Sequence, residues 1–419
     1  MVPPALAMQP PSITAHHHPF RWLALVLLSL AMFGNYYVYD CVGPLADALR
    51  TARGFTDSQL GTLNGVYSVP NVFMVLVGGV LVDRLGAGRA TTMFAAMCVL
   101  GAVVTAMVSS FAGMTVGRLL FGLGAESMIV AITTSLGLWF GKKELGLAMG
   151  LNLMVARAGS YSADMSPKWF AGAYASGVDQ PLWIAAGLMI AGLVFAFACQ
   201  LAERRAAHAL ATSSTPPDRI RWREVLTFGR QYWLIVGVCV AFYSAIFPFR
   251  STFAVKYFVD AFGLSNDDAS ELNSYVFLAS IFATPTIGWL AGAIDRRSLL
   301  HAIGALLLPL SFVVLLTGGT AGTANVLIGI AFSTVPAVLW PLVADLAPKE
   351  RLGTAYGLLT MLQNIGLAAF NFAIGAMNDA AGASAKHVAG YQPMLWTFLA
   401  LGTIGAVFAG LLAMARRGR

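Results

Sequence analysis

The stretch Gly79-Val-Leu-Val-Asp83-Arg84-Leu-Gly86-Ala-Gly-Arg89 closes a long apolar run, and a degenerate copy, Gly288-Trp-Leu-Ala-Gly292-Ala-Ile-Asp295-Arg296-Arg297, closes another. The two aspartates stand 212 residues apart (295 − 83). A second pair of loops recurs at nearly the same offset: Gly141-Lys-Lys-Glu144 and Pro348-Lys-Glu-Arg351 put Glu144 and Glu350 206 residues apart. Recurrence at one long offset marks an internal duplication. Two parallel repeats related about the membrane normal are a transporter architecture.

Outward from these loops the chain is a series of apolar runs near 20–42, 58–82, 90–109, 112–139, 146–170, 181–201, 231–258, 271–294, 299–318, 322–345, 352–377 and 392–414. A bilayer span needs about 20 mostly apolar residues, so the pattern predicts twelve transmembrane helices. The pair 299–318 and 322–345 reads as a tight hairpin. Composition agrees: 58% of the 419 residues are hydrophobic and 11% charged, against about a quarter charged in soluble domains. That excludes a soluble enzyme, a disordered chain and a nucleic-acid binder. The four cysteines, Cys41, Cys98, Cys199 and Cys239, lack metal or CxxC spacing and read as free packing residues. His16–His18 is a short run in a Pro-rich tail, so no metal or cofactor is expected. The first apolar run, after Arg21, is too long for a signal peptide and reads as a retained span.

The fold class that follows is all-α and integral to the membrane, with two six-helix pseudo-symmetric bundles. Its expected segments are a disordered tail 1–19, a first bundle 20–201, a basic linker 202–230, a second bundle 231–415 and a basic tail 416–419. The basic residues give the orientation. Eighteen of the 26 Lys and Arg fall on the side of the linker and both termini, five (Arg50, Arg53, Lys168, Lys256, Lys386) on the other, and three (Arg118, Arg157, Arg250) within spans. By the positive-inside rule both termini are cytoplasmic.

The 79–89 loop resembles the loop signature of the major facilitator superfamily, and Arg118-Leu-Leu-Phe-Gly122-Leu-Gly124 resembles another of its motifs. A narrower resemblance rests on Gly124-Ala-Glu126-Ser127, Trp139-Phe140-Gly-Lys-Lys-Glu144-Leu, Ala156-Arg157-Ala-Gly159-Ser160, Tyr243-Ser-Ala-Ile-Phe247-Pro248-Phe249 and Gln363-Asn364-Ile-Gly366-Leu-Ala. Together these are similar to the lysosomal dipeptide transporter family, within which a bacterial relative fits the absence of a dileucine sorting signal at the N-terminus. The resemblance implies facilitated movement of dipeptides, with the residues matching Glu126 and Arg157 lining the cavity. It also implies that the acid matching Asp83 contacts the partner half and locks one conformation. The implied location is the inner membrane in a bacterium and the lysosomal membrane in a eukaryote.

The residues themselves point the same way. Charges at mid-bilayer are costly and usually face a water-filled cavity. Glu126 and Arg157 lie near the midpoints of successive antiparallel spans. Arg offers a bidentate fork to a carboxylate, and Glu accepts charge-assisted bonds from an ammonium, so together they suit a zwitterion. The alternative is that they pair with each other. Tyr37, Asn64, Tyr67, Asn152, Tyr243, Gln363 and Asn364 are further candidates for the cavity, with interhelical bonding as the competing role. Asp40, in the outer third of its span, is a candidate proton carrier or an interfacially solvated acid. Asp83, Arg84, Arg118, Pro248 and Arg250 are assigned to gating: an acid suits the helix N-terminus facing Asp83, and Pro248 permits a kink beside Arg250.

The expected function is therefore a uniporter of dipeptides or similar zwitterions working by alternating access, with a small-molecule substrate and the lipid bilayer as partners. A proton-coupled antiporter or symporter of drugs or metabolites is the alternative within the class. A non-transporting receptor or scaffold is the alternative outside it. An enzyme is not expected, because no nucleophile–His or metal constellation is present.

Overall fold

The computed structural model describes residues 20–141, 144–206, 228–293, 297–347 and 351–417. The tail 1–19, most of the linker, and the predicted loop residues Asp295, Arg296, Lys349 and Glu350 lie outside them. The first half contains α1 (Arg21–Asp40), a short α2 (Ala46–Arg53), α3 (Asp57–Leu85), α4 (Ala87–Met107), α5 (Phe111–Trp139), α6 (Leu145–Trp169), a short α7 (Ala171–Ala175) and α8 (Asp179–Arg205). The second contains α9 (Arg230–Pro248), which runs through a π-helical turn (Phe249–Phe253) into α10 (Ala254–Phe262), then α11 (Asn266–Ala293), α12 (Arg297–Leu316), α13 (Ala321–Leu346), α14 (Leu352–Ala380) and α15 (Gln392–Arg417). Counting α9–α10 as one, each half has six long helices, as the sequence predicts.

Nine of these are long and apolar enough to cross a membrane, and the bent α3 makes a tenth. The two that fall short, α6 and α11, carry Arg157, Asp164 and Asn273 and pack against each other between the halves. Their polarity belongs to a seam, where side chains face protein rather than lipid.

The duplication reappears in the packing. Within the first half α1 packs on α6 and α8, α5 on α3 and α4, and α4 on α8. Within the second half α9 packs on α14 and α15, α13 on α11 and α12, and α12 on α15. Each contact recurs at the equivalent place. Between the halves α3 packs on α14 and α6 on α11, again an equivalent pair. Close approach there needs glycine: a Cβ on Gly61 would run into the Asn371 carbonyl, and one on Gly375 into that of Asp57. Local signals fix the helix starts. Thr56 and Gln59 form a reciprocal capping box at α3, and Ser110 caps α5. Gly318, at φ 78°, makes the predicted tight turn between α12 and α13.

Candidate functional site

At mid-depth a cavity of about 420 Å³ including its mouth is lined by Asn35, Tyr36 and Tyr39 of α1, Tyr67 of α3, Glu126 and Ile129 of α5, Phe247 of α9, and Gln363 and Leu367 of α14. Both halves contribute. The Glu126 carboxylate accepts a hydrogen bond from the Tyr67 hydroxyl (3.1 Å), and no ion pair reaches it among the described residues. An acid in such a place calls for a cation. Tyr39 packs on Tyr67 and Phe247, with centroids 4.8 and 6.0 Å away, so the floor is aromatic while the rim is polar.

Arg157 lies across the seam. Its Nη1 donates to the Ser280 carbonyl (3.3 Å) and to the Thr284 hydroxyl, both on α11. The guanidinium stands 4.9 Å from the Phe332 ring centre and is 4% exposed, yet its Nε–H has no partner. Glu126 and Arg157 do not pair. Tyr36, which lines the cavity, is near enough to feel both charges. On its other side Arg157 borders a second, apolar pocket of about 840 Å³, with its mouth, between α6 and α11.

The face opposite the linker is closed by polar groups buried between the halves. Arg250 pairs with Asp40 (2.7 Å) and Asp164 (3.3 Å), all three side chains being 1% exposed. Asn273 donates to Asp164 and to the Arg250 carbonyl. Nearby, Lys256 pairs with Asp260 (2.9 Å) and Asp57 (3.4 Å). The Tyr391 hydroxyl donates to Asp260 at 2.5 Å and also meets Lys256. Asp379 of α14 accepts from the backbone N–H groups of Asp57 and Ser58, at 2.9 Å each, and so caps α3 across the interface. On the linker face the ion pairs Arg21–Glu144 and Arg416–Asp345 stay within one half each.

These positions sort the predicted residues. Glu126, Tyr67 and Gln363 line the cavity. Tyr37 does not: one residue past Tyr36 is about 100° round the helix, and its ring stacks on Phe33 in the core of the first half. Asn64 donates to Ser251 and Thr252 of the other half and accepts from Arg118, so it belongs to the closed face. Asn152 bonds to Ser29 inside the first half. Asn364 bonds back to the Thr360 carbonyl. Tyr243 is buried behind Phe247, on which it stacks. Arg118 binds the carbonyls of Val38, Tyr39 and Leu63, a structural clamp on α1 and α3 that also holds Asn64. Pro248 precedes the π turn that carries Arg250. Asp83 and Arg84 are exposed and make no hydrogen bond or ion pair among the described residues.

Two expectations are corrected. Asp40 is not solvated at an interface but buried against Arg250, a partner 210 residues away. Lys256, counted above among the charges outside the spans, is buried in α10. Sequence reasoning missed Asp164 and Asp260. Asp164 sits seven residues after Arg157, on the same helix face, and Asp260 four after Lys256; both spacings are legible signals.

Comparison with known proteins accords with this architecture. The Major Facilitator Superfamily model matches residues 28–371 and 251–419. The chain is 32% identical over 388 residues to the lysosomal dipeptide transporter MFSD1 of Danio rerio, covering 89% of this chain and 84% of that one. It is 33% identical over 393 residues to the Homo sapiens protein of the same name, covering 90% and 83%. A crystal structure of the peptide transporter POT in complex with sulfate superposes with a TM-score of 0.73 at 16% identity, over 97% of each chain. The chain belongs to the Major Facilitator Superfamily, as a membrane transporter related along nearly its whole length to the lysosomal dipeptide transporters.

Proposed function

We propose that this protein moves dipeptides or similar zwitterions down their gradient by alternating access, with both termini cytoplasmic. The observation that carries the reading is that two opposite charges stay apart at the interface of the halves, Glu126 in the cavity and Arg157 at the seam beside it. Among the described residues Glu126 has no cation and the Arg157 Nε–H no partner, while Tyr36 lies close enough to feel both charges. The substrate ammonium binds Glu126 beside Tyr67, and its C-terminal carboxylate binds Arg157 as a charge-assisted fork. To do so Arg157 exchanges its bonds to α11, which couples occupancy to the seam between the halves.

The interlocked Arg250 and Lys256 clusters describe the state closed to the outside. In the opposite state these clusters part, and Asp83 meets the second half on the linker face. The names of the relatives support the substrate class, and the neutral sum of Glu126 and Arg157 supports a zwitterion over a cation.

The test is thermal stabilisation of the purified protein, followed by uptake into proteoliposomes. A ligand that binds the folded state raises its stability by mass action. Free dipeptides should stabilise, N-acetylated and C-amidated ones should not, and imposed pH gradients should leave flux unchanged. Stabilisation by blocked peptides, or by none at all, would defeat the reading; proton-driven flux would replace the uniporter with a symporter or antiporter.

A further inference from the structure

The pocket between α6 and α11 has no role in the two-charge clamp as described so far. Its walls include Gly146, Leu147, Gly150, Met154 and Ile281, and Arg157 stands at its inner end. Apart from that guanidinium and Thr284 it is almost wholly apolar. Its volume, about 360 Å³, is in the range of ligand sites, about 300–1,000 Å³. A Cβ on Gly146 or Gly150 would meet nothing within 4 Å. Those glycines therefore serve no packing contact, and what they leave is space. The free Nε–H of Arg157 is a buried donor without an acceptor, which is costly unless a ligand supplies one.

We infer that this pocket receives the side chain of the substrate's C-terminal residue and selects for a large apolar one. The inference rests on the dipeptide reading above and adds a subsite to it. Its basis is covalent geometry. The terminal carboxylate and the last side chain are attached to the same carbon. With the carboxylate on Arg157 and the peptide bond running toward Glu126, that carbon has its hydrogen and its side chain left to place, and one rotation about the bound axis turns the side chain away from the tyrosine-lined cavity. The apolar pocket occupies that direction. The N-terminal side chain, by contrast, lies on the polar side among Asn35, Tyr36 and Gln363. Selection is thus one-sided: the second residue of the dipeptide is read by apolar burial.

The experiment measures dissociation constants on the full-length protein for two series, Ala-Gly, Ala-Ala, Ala-Leu, Ala-Phe and Gly-Ala, Leu-Ala, Phe-Ala. Affinity should rise at least about tenfold from Ala-Gly to Ala-Leu, in line with burying methylenes in an apolar pocket, and change little across the reversed series. Gly150→Leu fills the space and should abolish that rise, bringing Ala-Leu to the affinity of Ala-Gly. Gly146→Val serves the same end if the first variant does not fold, and the wild-type series decides the matter if neither does. Dipeptide binding with no dependence on the second side chain would overturn the subsite and leave the dipeptide reading standing. Absence of any dipeptide binding would overturn both. Laurate displacing dipeptide more strongly than Ala-Phe does would make the pocket a lipid acyl site and overturn the inference.

Discussion

Replacing Arg250 by methionine removes the cation from a cluster in which Arg250, Asp40 and Asp164 are each 1% exposed. The side chain keeps its apolar stem against Phe277, whose ring centre lies 3.9 Å from the guanidinium carbon. What is lost is compensation for two buried carboxylates. Breaking a buried ion pair by removing one partner costs about 3–5 kcal/mol. That cost falls on the state closed opposite the linker; where the halves part, water takes over the solvation of both acids. At about 1.36 kcal/mol per tenfold, the balance between the two states moves by roughly two to three and a half decades toward the open one. Relaxation of the cluster and entry of water relieve part of the penalty, so the lower figure is the one to test. Spin labels at Ala52 and Phe262, exposed positions on opposite halves of that face, report the distance between them. The four native cysteines are buried and will label slowly. The Ala52–Phe262 distance should lengthen in Arg250→Met, and dipeptide flux should fall at least about tenfold, because the closed state becomes rare. Distances and flux both within twofold of wild type would refute the assignment of this cluster as the lock.

Four further outcomes follow. Arg157→Ala should weaken dipeptide binding by about 10- to 100-fold, since a charge-assisted bond contributes about 1.5–3 kcal/mol, with Arg157→Lys recovering only part; unchanged affinity in a thermal-shift titration would exclude a carboxylate role. Glu126→Gln should lose discrimination between free and N-acetylated dipeptides, which the same titration reads. Gly61→Ala should lengthen the Ala52–Phe262 distance by wedging a methyl against the Asn371 carbonyl, although alanine is the better helix former. Asp379→Ala removes two backbone caps across the interface and should lower the closed population only about fivefold, at about 1 kcal/mol for a cap; an effect exceeding that of Arg250→Met would reverse the ranking of the two contacts.

Much of the fold is legible because its causes are local. Span positions follow from the length of apolar runs. The gap between α12 and α13 follows from Gly318, and the halves follow from repeated loops. The site is only half legible. A charge inside a span announces itself, as Glu126, Arg157 and Arg250 do, because burying it needs a reason. A neutral polar residue does not, because its direction depends on helix phase. Hence Tyr37 was assigned to a cavity that Asn35, Tyr36 and Tyr39 line, and Asn64 and Asn152 to a site when they join helices. Asp164 is legible by its spacing from Arg157.

The sequence by itself determined that this chain forms twelve long helices in two related halves, with opposite charges at matching depth in successive spans. Those properties depend on hydropathy, length and residue type, each fixed along the chain. Only the tertiary structure decided which charges meet. Arg250 finds Asp40 and Asp164 of the other half, Lys256 finds Asp57, and Arg157 turns to Ser280 and Thr284 rather than to Glu126. Partners 86 or more residues apart are set by how α3 meets α14 and α6 meets α11, and Coulomb and hydrogen-bond energies depend on those distances rather than on order in the chain.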